Sequence, residues 1–207
     1  LVLLSYLTYN YIHYYSKPFE TQIASGQTLK MQIIDSKAVV LANNNVKGDL
    51  YIPEFVSYRL RKFLVTRIEA RAFFHNNEIT RLTLPENLEH LGAWAFSSCP
   101  ALSYTLVLPK NLKEIGNDAF CGTNISCLII KSEKLEPIDS TLENNFFFNC
   151  ANLQTIICEQ SVKNLTFSLL RSAHNLEEVV FPESLNEIPE AFFAHANISG
   201  KISFPKD

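Results

Sequence analysis

Glycine is scarce: six residues in 207, at positions 26, 48, 92, 116, 122 and 200. None opens a loop that would cradle phosphate, so nucleotide-binding motifs built on close backbone approach are excluded. An excess of charge is missing too. Lys and Arg number 18 against 21 Asp and Glu, giving a net charge of −3 and a pI of about 6.0. Such a balance gives no support for nucleic-acid binding. The five cysteines are an odd number, which argues against a fully paired disulfide framework. His13, His75, His90, His174 and His195 make no metal-ligand spacing with a cysteine or carboxylate. No Ser or Cys is set in a strained turn with a His and an acid near, and no carboxylate pair faces a cleft. The expectation is a protein without catalysis, cofactor or metal. Leu1 to Leu7 is apolar but far too short to span a bilayer.

What is present is a repeat. A small–aromatic step marks it, with the aromatic position at Phe73, Phe96, Phe120, Phe147, Leu170 and Phe193, spaced 23, 24, 27, 23 and 23 residues. The residue that follows a short strand gives a second marker, at Pro85, Pro109, Lys131, Glu159, Pro182 and Pro205, spaced 24, 22, 28, 23 and 23. Both series lengthen in one repeat, where an insertion around Asp139 to Asn144 is expected. Inward strand pairs keep the same frame: Leu82/Leu84, Leu106/Leu108, Leu128/Ile130, Ile156/Cys158, Val179/Phe181 and Ile202/Phe204. A second apolar pair follows at Leu88/Leu91, Leu112/Ile115, Leu135/Ile138 and Leu185/Ile188. A period of about 23 falls within the ~20–29 residues of a leucine-rich repeat, whose units bury their faces only against neighbours. The fold class expected is therefore an α/β-type repeat solenoid. Its right-handed leucine-rich coil has parallel strands on one face, is mostly β and turn, and follows an N-terminal β cap. Short helical turns are expected at steps such as Ala95–Phe96.

The pattern L-x-L-P-x-x-L-x-x-I-G-x-x-A-F-x-x-C-x-x-L, best seen at Leu82–Leu102 and Leu106–Ile125, resembles the BspA-like leucine-rich repeat family. The resemblance runs from about Gly48 to the C-terminus and departs most at Leu153–Leu176, where Leu169 and Leu170 replace the small–aromatic step. It implies a surface or secreted protein of a host-associated bacterium or a parasitic protist, binding host proteins or other cells. An extracellular or cell-surface location is expected on that ground. The partner implied is a protein, of a host or of a neighbouring cell, or a glycan. Two other roles fit the same repeats: a structural spacer displaying a further region, or an intracellular scaffold.

Along the chain, residues 1–22 read as an N-terminal arm or the remnant of a signal peptide, 23–53 as the β cap, and 54–207 as about six repeat turns that stop without a closing cap. Within the cap, Thr28–Ile34 and Ala38–Leu41 are strand-like around a turn at 35–37, and Asp49–Ile52 with Pro53 copies the strand–proline unit. The first repeat is long, and Phe55 to Leu64 is expected to be a hairpin or loop. Cys99 and Cys150 share a repeat position two turns apart, ~10 Å on strand spacing and too far for a disulfide. Cys158 takes an inward position, and a bridge between Cys121 and Cys127 stays open.

Any binding would be written on the outward strand positions. Between the inward pairs lie Thr83, Val107, Ile129, Ile157, Val180 and Ser203, four of them branched aliphatics in succession. They form either a hydrophobic ridge for a partner or a set of residues that simply suit strands. A flanking polar column holds Arg81, Thr105, Cys127, Thr155, Glu178 and Lys201. Candidate partner-binding residues are thus Arg81, Thr83, Thr105, Val107, Ile129, Thr155, Ile157, Glu178 and Val180. Charge divides along the chain. Arg59 to Arg71 carries five basic residues and Glu69 alone as an acid, whereas Glu143 to Glu190 carries seven Glu and two bases. The basic insert either meets an acidic surface or sulfated glycan or is an ordinary solvated loop. Asn124, Asn164 and Asn197 stand in glycosylation sequons, and the alignment of Asn124 with Asn197 is also explained by turn formation.

Overall fold

The computed structural model describes residues 16–133, 135–137, 146–165, 173–188, 192–193 and 195–204. Among these every regular element is a strand. In chain order they are β1 (Phe19–Gln22), β2 (Thr28–Ile34), β3 (Lys37–Val40), β4 (Gly48–Tyr51), β5 (Phe55–Tyr58), β6 (Arg61–Ile68), β7 (Ile79–Thr83) and β8 (His90–Leu91). There follow β9 (Ser103–Leu108), β10 (Glu114–Ile115), β11 (Asn124–Ile130), β12 (Glu136–Pro137), β13 (Thr155–Cys158), β14 (Leu176–Val180) and β15 (Ile198–Ser203).

Antiparallel pairing is confined to the start. β1 pairs with β2, β2 with β3, and β5 with β6. The β2–β3 turn is Asp35–Ser36, with φ of 49° and 64°, and the β5–β6 turn is Arg59–Leu60, with φ of 47° and 63°. Two successive left-handed residues match the twist of the strands they join. The hairpin expected between Phe55 and Leu64 is therefore present, and β1, inside the stretch 1–22, joins the cap sheet.

The repeats form parallel ladders of two kinds. β4 pairs with β7, and β9, β11, β13, β14 and β15 follow one another in a second run. Register puts Leu50 beside Leu82, and then Leu106, Leu128, Ile156, Val179 and Ile202 in one row. The second apolar pair makes its own short strands in three successive repeats, β8, β10 and β12, whereas residues 185–188 form none. β6, β8, β10 and β12 pair in parallel, and β6 pairs with β3 of the cap. The chain thus alternates between the two ladders, and residues from both enclose one core. A turn closes after β7, β9, β13 and β14: the amide of Leu88 donates to the Pro85 carbonyl at 3.0 Å, Leu112 to Pro109 at 3.1 Å, Val162 to Glu159 at 3.0 Å, and Leu185 to Pro182 at 3.2 Å. Glu159 makes the same turn as the prolines, so proline reinforces the turn without being required for it.

The small–aromatic steps hold the interior. Ala72, Ala95 and Ala119 are wholly buried, as are Phe96 and Phe120. Phe73, Phe96, Phe120 and Phe147 stack in sequence, with centroids 4.8, 5.5 and 5.4 Å apart and planes within 10°. Stacking comes from the repeat itself, because identical side chains at one strand-like spacing have no other place to go. The expected helical turns do not form here. Amides within the step close single turns, as Ala95 to Gly92 and Ser97 to Trp94 at 3.3 and 3.2 Å. The amides between them donate to the next repeat: Trp94 to Asn117, Phe96 to Ala119 and Ser98 to Cys121, at 3.0, 2.8 and 2.7 Å. Left-handed residues bracket each step, Arg71 and His75, Trp94 and Ser98, then Asp118 and Gly122. They break any helix and turn alternate amides along the stack.

The frame loosens toward the C-terminus. Phe192 rather than Phe193 is fully buried there, and both pack edge-on or tilted against Phe181. Phe204 and Ile188, expected inward, are 61% and 36% exposed, since no described strand lies beyond β15 to cover them. The expected insertion at 139–144, the departure at Leu169 and Leu170, and the arm of residues 1–15 lie outside the described residues.

Phe120→Ala removes the middle of the stack. It is expected to cost about 3–5 kcal/mol as a core truncation, read as a lower urea midpoint with an unchanged slope.

Candidate binding face

Alternation along each strand decides which side chains leave the core. With Leu106, Leu128, Ile156 and Val179 inward, Val107, Ile129, Ile157 and Val180 come out side by side, directly in register. All four are half-buried. At the ~4.8 Å spacing of paired strands, each aliphatic shields the next. Thr83, Thr105 and Arg81 are exposed, Thr155 is half-buried and Glu178 is exposed. The flanking column also lies in register, Thr105 beside Cys127, Cys127 beside Thr155, Thr155 beside Glu178 and Glu178 beside Lys201. The structure therefore brings Val107, Ile129, Thr155, Ile157, Glu178, Val180 and Thr105 onto one sheet. Arg81 and Thr83 stand on the separate β4–β7 pair.

Three residues join these columns that the strand frame did not single out. Tyr51 lies beside Thr83 and is 45% exposed, and Asp49 lies beside Arg81. Their signal was available, because Asp49–Ile52 with Pro53 copies the repeat unit. Tyr104, 57% exposed, sits at φ 70° where a bulge shifts the β9–β11 register. No spacing rule marks a bulge. The Arg81 guanidinium lies 4.6 Å over the Tyr104 ring and 3.8 Å from the Asp49 carboxylate. It ties the two strand groups together at the surface.

Three of the thiols, Cys99, Cys150 and Cys158, are buried. All five cysteines are free. Cys99 Sγ donates to the Phe73 carbonyl at 3.1 Å, and Cys150 Sγ donates to the Phe120 carbonyl at 3.2 Å. Thr123 stands at the repeat position between them and donates its hydroxyl to the Phe120 carbonyl at 2.9 Å. Asn76 opens the same column, donating to the Val46 carbonyl at 2.7 Å. Small polar residues at this position satisfy carbonyls that the turn leaves buried. Burial pushes Cys99 and Cys150 up to about 11 and Cys158 up to about 12. Burial also raises Cys127, with the Glu178 carboxylate adding to it. Asn124 uses its amide to hold the Pro100 carbonyl at 2.7 Å and accepts from Asn152 at 3.2 Å, the turn-forming role.

An ionic cluster borders the short-strand ladder. Glu89 receives Lys37 at 3.0 Å and Lys113 at 3.4 Å, and His90 Nδ1 lies 2.7 Å from Glu114. Burial raises the Glu89 pKa, but Lys37, then Lys113, outweigh it by hydrogen bond and charge, so the carboxyl titrates below its ordinary value.

Strand ladders at a period near 23, an aromatic stacked through four successive repeats and an outward row of branched aliphatics define a leucine-rich repeat protein. Residues 105–207 match the family model described as BspA type leucine rich repeat region (6 copies). Over that span the chain belongs to the BspA-type leucine-rich repeat family. No curated protein matches the sequence. Among solved structures, the chain is similar to the pneumococcal vaccine antigen PcpA, at TM-score 0.59 and 14% identity over 89% of this chain and 50% of that one. It is also similar to a leucine-rich repeat protein of T. pallidum, at TM-score 0.49 and 18% identity, covering 86% and 64%. A leucine-rich cell surface protein from Faecalibacterium prausnitzii A2-165 gives TM-score 0.46 and 18% identity, covering 90% and 56%. The chain spans half to under two thirds of the length of these structures. Among the described residues no helix is long and apolar enough to cross a membrane.

Two measurements follow from this chemistry. In the native protein at pH 8, Cys99, Cys150 and Cys158 are expected to stay unreactive toward a soluble disulfide reagent, whereas all five thiols react after unfolding. Cys99 labelling as fast as an exposed thiol would contradict the buried column. The depressed Glu89 pKa contributes stability that is complete above the unfolded value and lost as pH falls through the folded one. Glu89→Gln should therefore lower the urea midpoint at neutral pH, and the difference from wild type should close below about pH 4.

Proposed function

We propose that the chain is a non-enzymatic surface or secreted protein whose repeats wind as a right-handed solenoid and bind a protein partner on the long-strand face. One observation carries this reading: Val107, Ile129, Ile157 and Val180 form a continuous aliphatic row in register, bordered by the polar row of Thr105, Cys127, Thr155 and Glu178. An apolar centre with a polar rim is the composition of a protein interface. The rows are presented by a hydrogen-bonded sheet, so little ordering entropy opposes association. Arg81, Thr83, Tyr51 and Tyr104 extend the surface toward the cap, and aromatic and Arg side chains are the usual anchors of such contacts. Membership of the BspA-type family supports the surface or secreted location and a protein of a host or neighbouring cell as partner, with a glycan as the other chemistry the rim suits. The repeat fold is one that generally carries no catalysis.

The reading is tested by capture of candidate host and neighbouring-cell surface proteins with wild type, Ile129→Lys and Ile157→Lys. Both positions are half-buried on the outer face, so each variant should keep its unfolding free energy within about 1 kcal/mol of wild type. Capture should fall at least ten-fold, as expected when a charge enters the centre of an interface. Undiminished capture of every partner by both variants would sink the proposal.

A further inference from the structure

The turn of the β5–β6 hairpin breaks two rules at one residue. Leu60 is 106% exposed and sits at φ 63°. A two-residue turn with positive φ at both positions ordinarily takes Asn, Asp or Gly. A leucine there carries both backbone strain and apolar exposure. The β2–β3 turn does the same backbone job with two short polar residues, Asp35 and Ser36, and exposes no apolar side chain. The hairpin has more of the same character. Phe55 and Leu64 face each other across the strands and are 53% and 38% exposed. Alternation puts Ser57 and Lys62, another cross-strand pair, on that same face.

Charge around the turn is of one sign. Residues 55–68 contain Arg59, Arg61, Lys62 and Arg67 and no acid. Among the described residues no carboxylate pairs with Arg59, Arg61 or Lys62, although the chain as a whole is acidic. Arg59 and Arg61 instead lie over the rings of Tyr58 and Phe63, at 5.3 and 5.8 Å. The hairpin is also firmly held. Val56 and Phe63 are buried in the core, and Tyr58 stacks on Phe19 of the cap at 4.4 Å. It is a fixed finger with an apolar tip and side, ringed by cations that no carboxylate among the described residues neutralises.

We propose that this hairpin docks on an anionic lipid bilayer. Leu60, Phe55 and Leu64 enter the boundary between headgroups and acyl chains, and Arg59, Arg61 and Lys62 face the lipid phosphates. Charge complementarity selects the occupant, and the apolar residues choose between acidic occupants. A bilayer accepts any protruding apolar side chain beneath its charged surface, whereas an acidic protein would need a pocket shaped for Leu60. Apolar residues flanked by Lys and Arg are the composition of interfacial anchors. The hairpin lies on β5 and β6, outside the long-strand face, so this inference does not rest on the function proposed above.

The test is cosedimentation of the 207-residue chain with phosphatidylcholine vesicles containing roughly a quarter phosphatidylserine, beside pure phosphatidylcholine. Binding is expected to the anionic vesicles, to weaken as salt is raised, and to be ~ten-fold lower or absent on the neutral ones. Leu60→Gly removes the tip while giving the turn the residue its φ favours. It should bind ~ten-fold more weakly while its urea midpoint stays level or rises. Arg61→Gln with Lys62→Gln should weaken binding by roughly five-fold per charge. Wild type that ignores anionic vesicles, or Leu60→Gly that binds them as wild type does, overturns the proposal. Retention on heparin or an acidic polypeptide without vesicle binding would assign the hairpin to such a polyanion instead.

Discussion

Close approach of successive turns is the constraint on which the rest of this structure depends. At the small–aromatic steps that Gly92 and Gly116 open, one backbone nearly touches the next. A Cβ on Gly92 would run into the backbone nitrogen of Ala70, and one on Gly116 into that of Ala93. These two glycines are kept for space and not for conformation, as neither has a positive φ. Once the backbones are that near, alternate amides reach the carbonyls of the neighbouring turn, as Phe73 to Ala95 and Phe96 to Ala119, both at 2.8 Å. The phenyl rings then have no choice but to stack. Backbone pairing and ring stacking are thus two results of one spacing.

That spacing also shapes what faces outward. Parallel strands at the same repeat place equivalent residues side by side, so a residue type repeated in sequence becomes a row in space. Val107, Ile129, Ile157 and Val180 are ordinary β-branched choices singly and a continuous row together. Burial follows the same logic in reverse at the C-terminal end. Phe204 occupies the inward position of its repeat and is exposed, because inwardness in a stacked repeat is conferred by the neighbour.

The surface has two regions of different origin. The long-strand face is a product of periodicity and changes gradually from repeat to repeat. The β5–β6 hairpin interrupts the periodicity, belongs to no column, and gathers four basic residues with no acid among residues 55–68. The ionic cluster around Glu89 stands between these types, since Glu89 and Glu114 come from successive repeats while Lys37 comes from the cap.

The repeat frame, the inward pairs, the outward columns and the cap hairpin were legible in the residues, because period two and period 23 leave a mark wherever a side chain must be apolar. The tight turn at Asp35–Ser36 was legible for a related reason, that few residues tolerate left-handed backbone. Other features depend on contacts between distant residues. The short-strand ladder through Leu91 and Ile115 read only as a second apolar pair, since two residues are too few to show a period. The turns at Ala95–Phe96 were expected to be helical, and only inter-repeat hydrogen bonds to Asn117, Ala119 and Cys121 make the left-handed residues at Trp94 and Ser98 worthwhile. The β9–β11 bulge that exposes Tyr104 leaves no trace in spacing. By itself the sequence determined which residues recur and which side of a strand each takes. The tertiary structure decided which of them stay buried, how the turns hydrogen-bond and which charges meet, because each of these is a property of the neighbouring turn and not of the residue.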